Sequence, residues 1–140
     1  MSEFEPTIVA FFCNWCTYTA ADLAGTSRLS YPPNVNSIRV MCTGMVDPQY
    51  VIKAFLEGAD GVLISGCHPG DCHYINGNYK ARRRIKLLKE ILPKFGFDQQ
   101  RLRLTWIGAS DGIQLAEVMR DLVAQIKALG PSQAKLKMVI

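Results

Sequence analysis

The sequence contains no apolar run that approaches the roughly 20 residues a membrane-spanning helix needs. Its first residues, MSEFEPTIVAFF, are acidic where a secretory signal is basic, and no cleavage site of small residues follows them. We therefore expect a cytoplasmic protein that does not bind a membrane.

Motifs of nucleotide binding and hydrolysis are also missing. The sequence has neither G-x-G-x-x-G nor a Walker A motif, and it shows no carboxylate pair or Ser/His/Asp set. No basic stripe is interleaved with exposed aromatic residues, so we do not expect nucleic-acid binding. The net charge of +4 is a mild excess that favours an acidic protein partner. Residues 80–86 hold its densest basic run, which predicts a solvated helix face or a docking patch.

The length of 140 residues fits one compact domain. Hydrophobic residues make up 49% and charged residues 20%, as in ordinary globular proteins. We assign residues 1–130 to this domain. Residues 131–140 form a C-terminal tail, which we expect to be strand-like or to dock on a partner.

Short apolar runs alternate with longer amphipathic ones, which is typical of a parallel α/β sheet. The predicted strands are Thr7–Phe12, Ser37–Met41, Gly61–Ser65 and Leu102–Ile107. The predicted helices are Thr17–Leu23, Pro48–Glu57, Tyr79–Leu92 and a long one that runs from a capping box of Asp111 and Gln114 to Leu129. The pattern predicts a flavodoxin-like or small Rossmann-like fold, with about four parallel strands flanked by helices.

Residues 73–140 contain no cysteine, whereas the first 72 residues have five. Reducing compartments keep thiols open, so such a set is more often used for metal binding or redox chemistry than for disulfides. The count is odd, so disulfide pairing could not use every thiol. The five residues are Cys13, Cys16, Cys42, Cys67 and Cys72.

Three of these cysteines follow three successive predicted strands: Cys13, Cys42 and Cys67. The carboxyl ends of parallel strands meet at one edge of a sheet, where ligands bind. Cys16 lies one turn from Cys13 in C-N-W-C, and Cys72 shares a loop with Cys67 in C-H-P-G-D-C. We therefore predict one thiolate site at this edge, with four of the five cysteines as ligands.

Several chemistries fit such a site. Four thiolates hold a [2Fe–2S] or [4Fe–4S] cluster, or a structural zinc ion. The C-x-x-C of Cys13 and Cys16, after a strand and before a helix, also fits a thiol–disulfide oxidoreductase. His68 and His73 each follow a cysteine and are candidates for a ligand, a hydrogen-bond donor to the site or an exposed loop residue. Single buried cysteines that act as small hydrophobes explain one or two of the five, but not their common placement.

The sequence resembles the delta (iron–sulfur) subunit family of methyl-viologen-reducing [NiFe] hydrogenase. The resemblance is carried by FFCNWCTYTAADLAG, RVMCTGMVDP and GADGVLISGCHPGDCHYINGNYKARRR, and it extends from about Pro6 to Leu129. The block C-H-P-G-D-C-H-Y-x-x-G-N is specific, and the five cysteines show no departure from the family pattern.

The resemblance implies a small α/β subunit with one [2Fe–2S] cluster on the five cysteines and no reaction of its own on a substrate. It implies electron transfer from a hydrogenase or formate dehydrogenase to the FAD-containing large subunit of heterodisulfide reductase. That flavoenzyme bifurcates electrons between a heterodisulfide and ferredoxin, a reaction of methanogenesis. Family members also occur in bacterial complexes with other donors, so the donor for this chain stays open.

Overall fold

A computed structural model of the chain describes residues 4–132. The predicted docking role of the C-terminal tail falls almost entirely on residues 133–140, which lie outside the described residues. Within the described range, no helix combines the length and apolar character that crossing a membrane requires.

The centre of the fold is a sheet of four parallel strands in the order β2-β1-β3-β4. The strands are β1 (Ile8–Cys13), β2 (Val35–Val40), β3 (Gly61–Gly66) and β4 (Leu102–Trp106). The inner strands β1 and β3 are almost fully buried, because helices cover both of their faces. The edge strand β2, with the sequence VNSIRV, is largely exposed. The predicted α/β sheet is therefore confirmed.

Four helices connect and flank these strands: α1 (Thr17–Thr26), α2 (Pro48–Leu56), α3 (Gly77–Ile91) and α4 (Gly112–Leu129). Short 3₁₀ helices occupy Thr43–Met45, Leu92–Phe95 and Gln99–Arg101. The α2 helix begins as predicted: the Asp47 carboxylate accepts a hydrogen bond of 2.8 Å from the Gln49 N–H, and Pro48 is the first helical residue. The α4 helix ends at Gly130, whose φ of +82° favours glycine.

The sheet separates two apolar layers. Side chains alternate along β1, so Ile8, Ala10 and Phe12 pack with α1 and α4, whereas Phe11 faces α2 and α3. Each layer is closed by buried residues of its helices, such as Met119 on one side and Phe55 on the other. The two layers cover both faces of the sheet. Polar groups lie where the strands begin and where they end.

The predicted capping box at the start of α4 is wrong. Asp111 precedes α4, but its side chain makes no hydrogen bond to the first turn of that helix. Its carboxylate instead accepts from the Gly108 N–H at 2.8 Å and lies 2.9 Å from the His68 Nε2. The Asp111 carboxylate therefore bonds within the loop and to His68 instead of capping the helix.

Candidate metal centre

Three of the five thiols meet at the carboxyl ends of β1 and β3. Cys13 is the last residue of β1, Cys16 precedes α1, and Cys67 directly follows β3. The sulfur atoms of Cys13 and Cys67 are 3.8 Å apart. The three Sγ atoms all lie within 4.8 Å of one another, and all three side chains are buried.

The other two thiols form a pair beside this trio. The sulfur atoms of Cys42 and Cys72 are 3.7 Å apart, and the Gly44 N–H donates to the Cys42 sulfur at 3.4 Å. The Cys13 Sγ lies 3.8 Å from the carbonyl oxygen of Met41, the residue before Cys42. The fold therefore gathers all five predicted residues at one edge of the sheet, as a trio and a pair, and each is a free thiol.

The C-N-W-C pair has two very different thiols. A hydrogen bond from the Cys16 thiol lowers the pKa of Cys13 to about 6, against the raising effect of burial. The same contact, together with burial, raises the pKa of Cys16 far above its usual value. This shift favours the thiolate form of Cys13, which is the form that binds metals and attacks disulfides.

The pKa values of the remaining thiols are shifted by burial and by backbone N–H groups. Burial raises the pKa of Cys42 to about 11, and burial also raises the pKa of Cys67. At Cys72, burial acts in the same sense, but N–H groups of the backbone at Tyr74 and Asn78 outweigh it and lower the pKa. A site with several neutral buried thiols releases protons when a metal binds.

Gly77 lies so close to the pair of thiols that a side chain at this position would collide with a sulfur atom. A Cβ atom at this position would lie 2.2 Å from the Cys42 sulfur and 3.3 Å from the Cys72 sulfur. A Cβ at Gly44 would in turn lie 2.9 Å from the Cα of Gly77. Glycine at position 77 is therefore required by the close approach of backbone to sulfur.

Asn78 connects the start of α3 to the trio, and the sequence analysis missed it. Its side-chain N–H groups donate to the carbonyl oxygens of Cys67 and His68, both at 3.0 Å. Its Oδ1 atom is buried without a hydrogen-bond partner among the described residues. Only its place in the C-H-P-G-D-C-H-Y-I-N-G-N block could have pointed to it.

Buried hydroxyl groups lie beneath the trio. The Thr17 hydroxyl is 3.7 Å from the Cys16 sulfur and 3.1 Å from the Ser65 hydroxyl, to which Thr105 also donates at 3.1 Å. The signal that the sequence analysis did not use is Ser65 itself, a polar residue near the end of the otherwise apolar strand GVLISG.

An open cleft of about 310 Å³ leads to the trio, and its lining includes Cys16, Cys67 and the side chains of Trp15 and His73. Those two rings stack with centroids 3.8 Å apart. The structure therefore uses the two predicted histidines differently. His68 contacts Asp111, whereas His73 stacks on Trp15 at the side of the cleft.

The thiol spacings fit a tetrahedral metal site. Metal–thiolate bonds of about 2.3 Å at tetrahedral angles separate neighbouring sulfur atoms by about 3.8 Å. Cys13–Cys67 at 3.8 Å and Cys42–Cys72 at 3.7 Å match this value. A soft, thiolate-rich donor set suits an iron–sulfur cluster or zinc, whereas magnesium and calcium prefer oxygen ligands.

Comparisons with known proteins agree with this chemistry. The FlpD family model, described as methyl-viologen-reducing hydrogenase, delta subunit, matches residues 8–130. The chain is 54% identical over 129 residues to an F420-non-reducing hydrogenase iron-sulfur subunit of Archaeoglobus profundus, which covers 92% of this chain and 94% of that protein. It is 52% identical over 133 residues to the F420-non-reducing hydrogenase vhc iron-sulfur subunit of Methanococcus voltae, which covers 95% of this chain and 92% of the relative.

A larger relative carries the same domain as one part of its length. The chain is 45% identical over 132 residues to a subunit of the ferredoxin:CoB-CoM heterodisulfide reductase of Methanosarcina mazei, which covers 94% of this chain but 17% of that protein. The resemblance noted in the sequence is thus supported over nearly the whole described domain. The chain belongs to the family of the methyl-viologen-reducing hydrogenase delta subunit.

Proposed function

We propose that this chain is an electron-transfer subunit that holds one [2Fe–2S] cluster on thiolates drawn from Cys13, Cys16, Cys42, Cys67 and Cys72. The observation that carries the proposal is the meeting of these thiols at one edge of the sheet, in contacts of 3.7–3.8 Å. The Asn78 Oδ1, which has no hydrogen-bond partner among the described residues, also supports a bound group.

The arrangement favours a two-iron cluster with Cys13 and Cys67 as one ligand pair and Cys42 and Cys72 as the other. A [2Fe–2S] cluster takes four thiolates, two for each iron. Each pair has the sulfur spacing that tetrahedral coordination requires. Cys16, whose thiol contacts Cys13 and the Thr17 hydroxyl, is then the fifth thiol, which donates to the site without being a ligand.

The bound cluster would supply reversible one-electron oxidation and reduction. The chain's own residues would fix its position through the ends of three strands, and the stacked rings of Trp15 and His73 would line the cleft beside it. The backbone N–H of Gly44 at the Cys42 sulfur tunes the potential. The proposed role is electron transfer without a reaction on a separate substrate.

The names of the relatives support a hydrogenase as the donor and heterodisulfide reductase as the acceptor. More finely, we propose a hydrogenase or formate dehydrogenase as donor, and the FAD-containing large subunit of heterodisulfide reductase as acceptor. In such an assembly the chain would deliver electrons for bifurcation during methanogenesis. A cytoplasmic location remains a prediction that cell fractionation can check.

The test is iron and acid-labile sulfide analysis with EPR spectroscopy on protein purified without oxygen. We expect two irons and two sulfides per chain, visible charge-transfer absorption and an EPR signal on reduction. Serine at position 13, 42, 67 or 72 should remove the iron, whereas Cys16→Ser should retain it. Full iron in all five single variants, or a colourless protein with one zinc, would reject the proposal.

Zinc is the second candidate, and the compact trio favours it. Three buried thiols within 4.8 Å of one another, with one further ligand, would suit a single structural ion. Cys16 is essential in that arrangement, so Cys16→Ser discriminates between the two candidates. A thiol–disulfide oxidoreductase is supported by the low pKa of Cys13, but the burial of that sulfur hinders attack on an external disulfide.

A further inference from the structure

The positive charge of this protein is concentrated in one helix. α3 carries six cationic side chains and one carboxylate, a net charge of +5, whereas the whole chain has +4. The rest of the molecule is therefore at −1 overall. A charge of one sign on one element creates a local field that attracts groups of the opposite sign.

Most of this charge faces solvent. We name four exposed residues the α3 basic face: Lys80, Arg82, Arg83 and Lys86. None of the ion pairs within residues 4–132 uses a cation of this face. Arg82, Arg83, Lys86 and Tyr79 line one open depression of about 400 Å³, so the cations lie side by side.

The α3 basic face begins at the thiol site. The first residue of α3 is Gly77, which contacts the sulfurs of Cys42 and Cys72, and Arg84 donates to the carbonyl oxygen of Gly44 beside them. With a rise of 1.5 Å per residue, the Cα atoms of residues 80–86 lie only about 5–14 Å along the helix axis from Gly77. A molecule bound there would lie next to the thiols.

An exposed apolar residue marks the same end of α3. Ile75 is 82% exposed and has a φ of +73°, a conformation that β-branched residues rarely adopt. Its neighbour Tyr74 is also exposed. Strained backbone tends to occur at binding sites, and an apolar centre beside charged residues is typical of a protein interface.

We propose that the α3 basic face and Ile75 form the docking surface for an acidic patch on a separate redox protein that exchanges electrons with the thiol site. This inference rests on the proposed function. A second copy of this chain would present the same positive charge, and residues 133–140 add two lysines and no acidic side chain, so neither complements the surface. Carboxylates on a partner complement it, and their attraction speeds and orients the encounter.

The first experiment uses matched double variants in the complete complex, purified from its native cells through a tag on this chain. Arg82→Gln/Arg83→Gln removes two charges from the α3 basic face. Arg28→Gln/Lys127→Gln removes two from exposed positions on α4 and the loop after α1, which belong to the opposite helical layer. We expect about tenfold weaker retention of the redox subunits for the first variant at moderate salt, and no change for the second.

Ile75→Asn separates docking from folding. Asparagine tolerates a positive φ better than isoleucine, so the thermal midpoint of the isolated chain should stay the same or rise. Retention of the partner should nevertheless fall several-fold, because an exposed apolar contact is lost. If Ile75→Asn changes neither the thermal midpoint nor the retention of the partner, Ile75 is not part of the docking surface.

Carbodiimide cross-linking of the native complex identifies the partner surface, since the reagent joins lysine amines to carboxylates in direct contact. We expect links from Lys80 or Lys86 to acidic residues of an iron–sulfur or flavin subunit, identified by mass spectrometry. Links only from other lysines, links between two copies of this chain, nuclease-sensitive retention or retention by anionic vesicles would each overturn the proposal. Iron content and EPR of the same samples report separately on the proposed function, so its failure is distinguishable from failure of docking.

Discussion

Buried polar groups are partnered differently at the two ends of the parallel strands, which we call the amino edge and the carboxyl edge of the sheet. At the amino edge, Asp60 is fully buried, and its carboxylate accepts from the Thr7 N–H at 2.9 Å and the Ser132 N–H at 3.0 Å. Arg101, 6% exposed, donates to the carbonyl oxygens of Asp60 at 3.0 Å and Gly130 at 2.8 Å. The chain itself satisfies these groups.

At the carboxyl edge, the main contacts of the thiols are with one another. Cys13 contacts Cys67, and Cys42 contacts Cys72, while the buried Asn78 Oδ1 has no partner within the described part of the chain. Buried groups without good partners cost free energy. The comparison indicates that the amino edge stabilises the fold, whereas the carboxyl edge is arranged for a group from outside the chain.

The largest expected effect comes from breaking the amino edge with Asp60→Ala. The substitution removes the carboxylate that accepts from the Thr7 and Ser132 N–H groups, together with the negative charge beside the buried Arg101, so we expect a loss of about 3 kcal/mol in the free energy of unfolding. Urea unfolding measures it, with the exposed Asp22→Ala as the control. Iron per folded chain should not change; if it falls, the two edges are coupled and the comparison fails.

Gly77→Ala tests the carboxyl edge. The added Cβ would meet the Cys42 sulfur at 2.2 Å, so we expect lost iron and a metal-free chain that is less stable by about 1–3 kcal/mol. Gly25→Ala is the matched control, because a Cβ there meets nothing within 4 Å and alanine favours a helix by about 0.5–1 kcal/mol. Retention of full iron by Gly77→Ala would contradict a ligand role for Cys42 and Cys72.

Asn78→Ala should cost less, about 1–2 kcal/mol, since it removes two buried hydrogen bonds but also the unpaired Oδ1. If Asn78 positions the Cys67 loop for a bound group, the EPR spectrum of the loaded protein should change as well. Asn36→Ala on the exposed side of β2 serves as the control. A change in stability with an unaltered spectrum would restrict Asn78 to a structural role.

The smallest effect concerns acid stability. The hydrogen bond with His68, helped by the Gly108 N–H, lowers the pKa of Asp111 below its usual 3.8. A carboxyl group with a lowered pKa in the folded state contributes stability above pH 3.8 and loses it as the pH falls through the folded value. Asp111→Asn should therefore lose less stability between about pH 6 and pH 3 than the native chain, as urea midpoints would show. Equal losses would mean that this contact does not stabilise the fold.

Local patterns predicted the elements of this fold well. Continuous apolar runs marked the inner strands, and Asp47 with Pro48 marked the start of α2, because burial and capping act over neighbouring residues. The same reasoning failed at Asp111. A local cap was predicted there, but His68, 43 residues away in sequence, contacts the carboxylate.

The site was predicted in its members but not in its geometry. Cysteines after successive strands indicated one edge, since parallel strands align their carboxyl ends. The trio, the pair and the supporting groups Asn78 and Ser65 were not predicted. Those contacts join segments up to 54 residues apart, and no local periodicity encodes them.

The sequence by itself determined the alternation of strands and helices and the placement of thiols after three strands, because both depend on the order of apolar and polar residues along the chain. Only the tertiary structure decided that β1 lies between β2 and β3 and which sulfurs touch. The physical reason is that strand pairing and helix packing over the whole sheet set the distances between remote loops.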